Sequence, residues 1–317
     1  LFYSVYFLIM NWMIFTTEDR ESEISAITSL LKKNNAAHSI FRLDPGIIQC
    51  NFNKISKDKS LSFFEALFKS TYIIILAPDS VLFSPLIMYV LGYTFGKQIP
   101  LFLSGASDQF IQHTSMANTV SYTSVDELVQ KLEENFPLYI AEKAKKSAHR
   151  KLFNDGIPFT PDCFSFHIAK NNVEQCELFY EAGMDVNERD SAGTPMLCVA
   201  SRSGRKEMIQ WLVDKGADIN AISQDRGYSA LMDAVWKSNY DITKILVDLG
   251  ADVNIVAQDG QSLLVLATGT NNSRICELLA MKGANPLIKD KMGMSALDYA
   301  RLFKKENLVH IYEECIR

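Results

Sequence analysis

The chain has 317 residues, 48% of them hydrophobic and 22% charged, with 15 Gly and 9 Pro. That length suits two domains of roughly 100 to 200 residues, and the composition excludes a collagen-like, disordered or multi-span membrane protein. The formal charge of -5 divides into 14 Lys+Arg against 14 Asp+Glu over residues 1–150 and 18 against 23 over residues 151–317, a balance of the wrong sign for nucleic-acid binding.

At the N-terminus, Val5 to Met10 is apolar, but the stretch 1–16 is shorter than the ~20 residues of a spanning helix, and no Lys or Arg precedes it. Met10 to Thr17 reads as a first β-strand leading to Glu18 and Asp19. Translation beginning at Met10 would make residues 1–9 an extension; the competing reading is the apolar region of a secretory signal, without its basic flank. The six cysteines, Cys50, Cys163, Cys176, Cys198, Cys276 and Cys315, form no CxxC pair, and the five histidines have no metal-binding spacing. Free thiols, a cytoplasmic location, no metal and no cofactor are expected.

From residue 10 onward strands and helices alternate. The strand Trp12 to Thr16 leads to a helix with Ile24, Ile27, Leu30 and Leu31 on one face, then to a strand over His38 to Leu43. After an Asn- and Lys-rich loop comes a helix carrying Phe63, Phe64, Leu67 and Phe68, followed by the most apolar strand, Tyr72 to Ala77. A helix over 84–96, a strand over 100–103, a weaker helix over 108–116, a strand over 120–122 and a long helix from Asp126 toward Arg150 complete the series. The basic run Lys143, Lys145, Lys146, Arg150 and Lys151 is the wet face of that last helix. Five strands with continuous apolar runs describe a parallel, flavodoxin-like α/β sheet over residues 10–145, with ligands gathering at the carboxyl ends of the strands. Residues 146–157 are the end of a linking helix.

Within this half, Ser70 to Ser80 and Ser84 to Pro100 resemble the centre of two families, the nucleoside 2-deoxyribosyltransferases and the TIR domain. Leu91, Gly92, Tyr93, Gly96, Lys97 and Pro100 carry the first register and Ser84 the second. Both resemblances put the families' catalytic Glu at Val90, which has neither charge nor lone pair for a reaction at a sugar C1. They imply a catalytically degenerate domain serving as scaffold or ligand sensor, with Asp79, Ser80 and Ser84 as candidate ligand contacts. The alternative is an active N-glycosidase, hydrolysing NAD or transferring deoxyribose, with Asp79 or Glu18 replacing the missing Glu. Asp79 after Pro78 is also ordinary turn chemistry. No GxxxxGK(S/T), GxGxxG after a strand or GxSxG occurs, which argues against phosphotransfer and nicotinamide redox chemistry.

The second half repeats. Gly183, Gly216, Gly250 and Gly283 are spaced 33, 34 and 33 residues apart, three of them opening a Gly-x-Asp-(Val/Ile)-Asn copy. Ala200, Ala234, Ala267 and Ala300 keep spacings of 34, 33 and 33, with Leu197, Leu231, Leu264 and Leu297 three residues before them. This pattern resembles the ankyrin repeat and implies an all-α solenoid over residues 158–317, of about five repeats with the first and last capping. Ser229, Ser262 and Ser295 stand where the family has a helix-capping Thr. The family His is replaced by Cys198, Met232, Val265 and Asp298, so its bond to the neighbouring turns is expected to be missing.

Such arrays bind rather than catalyse, and the resemblance implies a protein partner on the concave face. Residues placed there are Arg202, Trp236, Lys237 and Tyr240, with Gln224, Arg226, Tyr228, Gln258 and Gln261 on the β-turn fingers. Trp, Tyr and Arg together are the mixture of interface hot spots; the competing reading of Trp236 is a gap filler between helices. No nucleic-acid or membrane partner is expected, and the first domain is a candidate for homo-oligomer formation.

Overall fold

A computed structural model describes residues 10–17, 20–43, 57–107, 110 and 119–316 and divides into two compact units, Leu1–Ala144 and Lys145–Arg317. The first unit holds strands β1 (Asn11–Thr16), β2 (Ala37–Arg42), β3 (Tyr72–Leu76), β4 (Leu101–Ser104) and β5 (Thr119–Tyr122) in one sheet of order β2-β1-β3-β4-β5. All four pairings are parallel. Its described helices are α1 (Glu21–Lys33), α2 (Lys57–Lys69), the single turn α3 (Asp79–Leu82), α4 (Pro85–Lys97) and α5 (Val125–Asn154). The helix expected over 108–116 lies outside the described residues, except for Phe110, which meets Phe83 edge-on at 5.1 Å.

Period-two alternation sorts the sheet's side chains between two cores. Met13, Phe15, Ile73, Ile75, Leu101 and Leu103 pack with Phe63 and Leu67 of α2 and with Ile87, Val90 and Leu91 of α4. Their neighbours Trp12, Ile14, Tyr72, Ile74, Leu76 and Phe102 face Ile24, Ile27 and Leu31 of α1 and Leu128, Leu132 and Phe136 of α5. Every residue of β3 is buried, as a strand covered on both faces requires. Trp12 and Tyr72, partners in the β1–β3 register, stack at 4.4 Å. The strand order reverses between β1 and β3, the position where open α/β sheets hold ligands.

The division between the units falls inside α5. The second unit consists of helix pairs: α6 (Pro161–Ala169) with α7 (Val173–Glu181), α8 (Met196–Arg202) with α9 (Lys206–Asp214), α10 (Ala230–Trp236) with α11 (Tyr240–Asp248), α12 (Leu263–Gly269) with α13 (Ser273–Met281), and α14 (Ala296–Leu302) with α15 (Glu306–Glu314). Ser229, Ser262 and Ser295 cap first helices by accepting the N–H of Met232, Val265 and Asp298, each at 3.2 Å. Asn172, Asn239 and Asn272 cap second helices in the same way. Ala200, Ala234, Ala267 and Ala300 are all fully buried, the small side chain letting neighbouring helices approach.

The repeats are tied by bonds to their immediate neighbours. The backbone N–H of Asp218, Asp252 and Asn285 each donates to the Asn one repeat earlier, Asn187 at 2.7 Å, Asn220 at 2.9 Å and Asn254 at 2.7 Å. Between helix pairs a short finger is closed by antiparallel bridges, Arg189 to Pro195, Ile222 to Ser229, Val256 to Ser262 and Lys289 to Ser295. The bridge from 222 to 229 spans seven positions and the others six, so the one 34-residue spacing is a one-residue lengthening of the finger Ser223–Tyr228.

Candidate partner-binding site

Fingers stack directly on one another. The N–H of Gln224 donates to the carbonyl of Gly193 at 3.1 Å and that of Gln258 to Gly227 at 3.4 Å. Gly193 and Gly227 have φ of +74° and +68°, and a Cβ on either would come within 2.4 Å of Gln224 or 2.9 Å of Gln258. Both left-handed geometry and close approach therefore demand glycine. Gln224 and Gln258 thus cover the preceding finger with their stems while remaining exposed.

The longer finger is pinned by Arg202, the last residue of α8. Its Nε donates to Asp233 at 2.7 Å, Nη1 to Asp225 at 2.6 Å, and Nη2 to Asp225 at 3.0 Å and Ser223 at 2.9 Å. Arg202 is only 16% exposed and holds the next repeat's helix and finger together, so the sequence-predicted contact residue is also an internal clamp. Its bond lowers the Asp225 carboxyl to about 2. Asp233 goes the other way: with its side chain 1% exposed, burial raises its pKa and outweighs the opposing bond from Arg202. Its Oδ1 accepts no hydrogen bond among the described residues and faces Nη1 of Arg226 at 3.9 Å.

Around this clamp lie the other expected residues. Trp236, the last residue of α10, is 55% exposed, with its ring 6.5 Å from Tyr228. Lys237 follows it, exposed, and the Tyr228 hydroxyl donates to Gln261 at 3.4 Å. Tyr240 stands apart: it opens the second helix α11, and the Arg274 guanidinium covers its ring at 4.4 Å. The expectation that grouped it with Trp236 is corrected here, because Asn239 caps α11 immediately before it and so puts Tyr240 in the second-helix row.

Ion pairs join second-helix charges, or the residue capping such a helix, across three repeat junctions. Lys215 binds Glu177 at 2.7 Å beneath Tyr180 and Trp211, Lys206 binds Asp241 at 2.5 Å, and Lys282 binds Asp248 at 2.9 Å.

The missing family His is also only half a loss. Cys198 Sγ donates weakly to the carbonyls of Ala221 and Tyr228, both at 3.7 Å, linking its helix to the next finger. Sequence reasoning overlooked it because a thiol is not usually counted as a donor. It also overlooked Asp233 and Ser223, since neither belongs to a repeat motif.

In the sheet unit, Val90 is 0% exposed within the core beneath α4. Ser84 is buried, and its hydroxyl accepts the N–H of Ile87 at 3.4 Å as the cap of α4. Ser80 is exposed on α3, which Asp79 opens after β3. Glu18 lies outside the described residues, as does Cys50; the five described cysteines are free thiols. No helix among the described residues is long and apolar enough to cross a membrane.

Residues 164–257 match the family model for ankyrin repeats, in three copies. The chain is 34% identical over 170 residues to an ankyrin repeat-containing protein of Treponema pallidum (strain Nichols), covering 54% of this chain and 57% of that protein. It is also 30% identical over 154 residues to the mitochondrial disaggregase of Bos taurus, covering 45% of this chain and 22% of that protein. The chain thus spans about half the length of the first relative and less than a quarter of the second. The C-terminal region contains ankyrin repeats, which imply protein–protein interaction.

Proposed function

We propose that the finger and first-helix face of the repeats, concave in arrays of this kind, binds a protein partner through Trp236, Lys237, Arg226, Tyr228, Gln224, Gln258 and Gln261, with Arg202 positioning them. The observation carrying this reading is the asymmetry between the two helix rows. Ion pairs join the second-helix row across three repeat junctions, whereas the side chains of Trp236 and Lys237 are exposed beside an exposed finger and make no hydrogen bond or ion pair among the described residues. A photo-crosslinking amino acid at position 236 is expected to capture the partner, and one at Gln210, exposed on α9, to capture none. Capture from position 210 alone would overturn the assignment.

The sheet unit, in this reading, is a TIR-like or deoxyribosyltransferase-like scaffold or ligand sensor without glycosidase activity, in a cytoplasmic protein. Support comes from the hydrocarbon surroundings of Val90, where a carboxylate would be desolvated. Incubation with NAD or deoxyadenosine should release no free base; release that disappears in Asp79→Ala would make the protein an enzyme. Self-association through α2 and α4 belongs to the same reading, because Phe68 is 58% exposed there with its ring 5.5 Å from Tyr93, and Met88 and Phe95 are exposed nearby in the chain. Sedimentation velocity should report a dimer that Phe68→Glu dissociates; a monomer at every concentration removes this part.

A further inference from the structure

The last residues of the five first helices form a row with the repeat's own period: Ala169, Arg202, Trp236, Gly269 and Leu302. Arg202 is spent on its clamp. Trp236 and Leu302 are 55% and 62% exposed, and Phe303, next to Leu302, is half exposed. Between them Gly269 presents no side chain, and a Cβ built there meets nothing within 4 Å. Its φ is not left-handed, so neither backbone geometry nor close packing explains glycine at this helix end. The row therefore contains an open position with a large apolar side chain on the repeat at either side.

Exposed cations outnumber exposed anions on the fingers and helix ends beside this gap. The Arg226 guanidinium lies between two carboxylates, 3.9 Å from the orphaned Oδ1 of buried Asp233 and 4.0 Å from Asp225, and donates no hydrogen bond among the described residues, which orients it and leaves its donors available. Exposed Lys237 adjoins Trp236, and Lys291, on the finger leading into α14, donates to the carbonyl of Gln258. Against these, Asp225 is consumed by Arg202. Asp259 is the exposed anion of the neighbouring finger, with one oxygen accepting the N–H of Gln261.

Building on the proposed binding face, we propose that its partner is an extended acidic segment bearing one bulky apolar side chain. The apolar side chain lodges over Gly269 between Trp236 and Leu302, and flanking carboxylates meet Arg226 and Lys237. Gly269 is the specificity-determining position, because a side chain larger than a methyl there occupies the anchor's place. Arg226 stands in the finger Ser223–Tyr228 that carries the one-residue lengthening, and the Arg202 clamp holds that finger through Asp225.

The test is selection of a random dodecapeptide display library on the full chain, followed by fluorescence anisotropy with a synthetic selected peptide. The selected sequences should share one Leu, Met or Phe flanked by Asp or Glu. Gly269→Leu should weaken binding about tenfold or more, and Arg226→Gln with Lys237→Gln about tenfold. Gly269→Ala, adding only a methyl to open space, should stay within about threefold, and circular dichroism should show all variants folded. Peptides that bind, are lost in Trp236→Ala and ignore Gly269→Leu would overturn the notch while keeping the binding face. Selected peptides that are basic, or binding indifferent to Trp236, Gly269 and Arg226 alike, would overturn the notch, the latter result removing the face as well. A library that yields no binder also overturns the notch.

Discussion

The sheet unit and the repeat array keep themselves folded in opposite ways. In the first, contacts close over long stretches of chain: Trp12 stacks on Tyr72, Phe102 and Phe136, and the two cores draw on every strand from β1 to β4. In the second, the ties run to the adjacent repeat, such as Asn254 to Asn285 and Arg202 to Asp233. A core defect in the sheet unit is therefore felt throughout that unit, whereas a defect in the array is felt at one interface. This lets the array vary a single finger by one residue without disturbing the copies beyond it.

The largest expected effect tests the sheet side of that contrast. Val90→Glu places a carboxylate in the α4 core, where it costs several kcal/mol, so melting of the first unit should fall sharply, and no glycosidase activity should appear. Next, Arg202→Ala leaves Asp233 a buried acid with only the Arg226 guanidinium at 3.9 Å to offset its charge, a loss on the order of 3–5 kcal/mol. Denaturant unfolding followed by Trp fluorescence should show the defect confined to the array, since the sheet unit has its own cores. Asn254→Ala removes the acceptor of the Asn285 N–H and a donor to Gly283, costing about 1 kcal/mol, with amide exchange accelerating at that repeat junction.

The smallest effect is electrostatic. The Asp225 carboxyl is lowered to about 2 in the folded chain by its bond to Arg202. The stability it contributes is thus present above the ordinary carboxylate pKa and is lost as pH falls through about 2. Asp233, raised by burial, contributes with the opposite sign: its share is complete below its unfolded pKa and is lost as pH rises through the folded one. Melting temperatures between pH 5 and pH 2 should therefore fall more steeply for the unaltered chain than for Asp225→Asn.

Much of the architecture was legible because it rests on local repetition. The period of the Gly and Ala combs, the Ser caps and the apolar run of β3 each state a geometric need in the residues themselves. Trp236 and Tyr228, whose rings lie 6.5 Å apart, could be placed near each other because the repeat fixes their register. Tyr240 was misplaced because register alone does not say which of two adjoining helices a junction residue joins; the Asn239 cap settles that. Arg202 looked like a free contact because its partners, Ser223, Asp225 and Asp233, lie 21 to 31 residues away and follow no motif.

The sequence alone determined the two-part organisation, the alternating sheet unit and the periodic array, since hydrophobic spacing, caps and glycines act over a few residues at a time. Only the tertiary structure decided which polar groups are already consumed. It showed Arg202 closing on two carboxylates, Ser84 capping α4, Cys198 bridging to the next finger and Gly269 opening a gap between two exposed apolar side chains. Whether a side chain is free to meet a partner depends on what folding has brought against it, and that is set by distant residues.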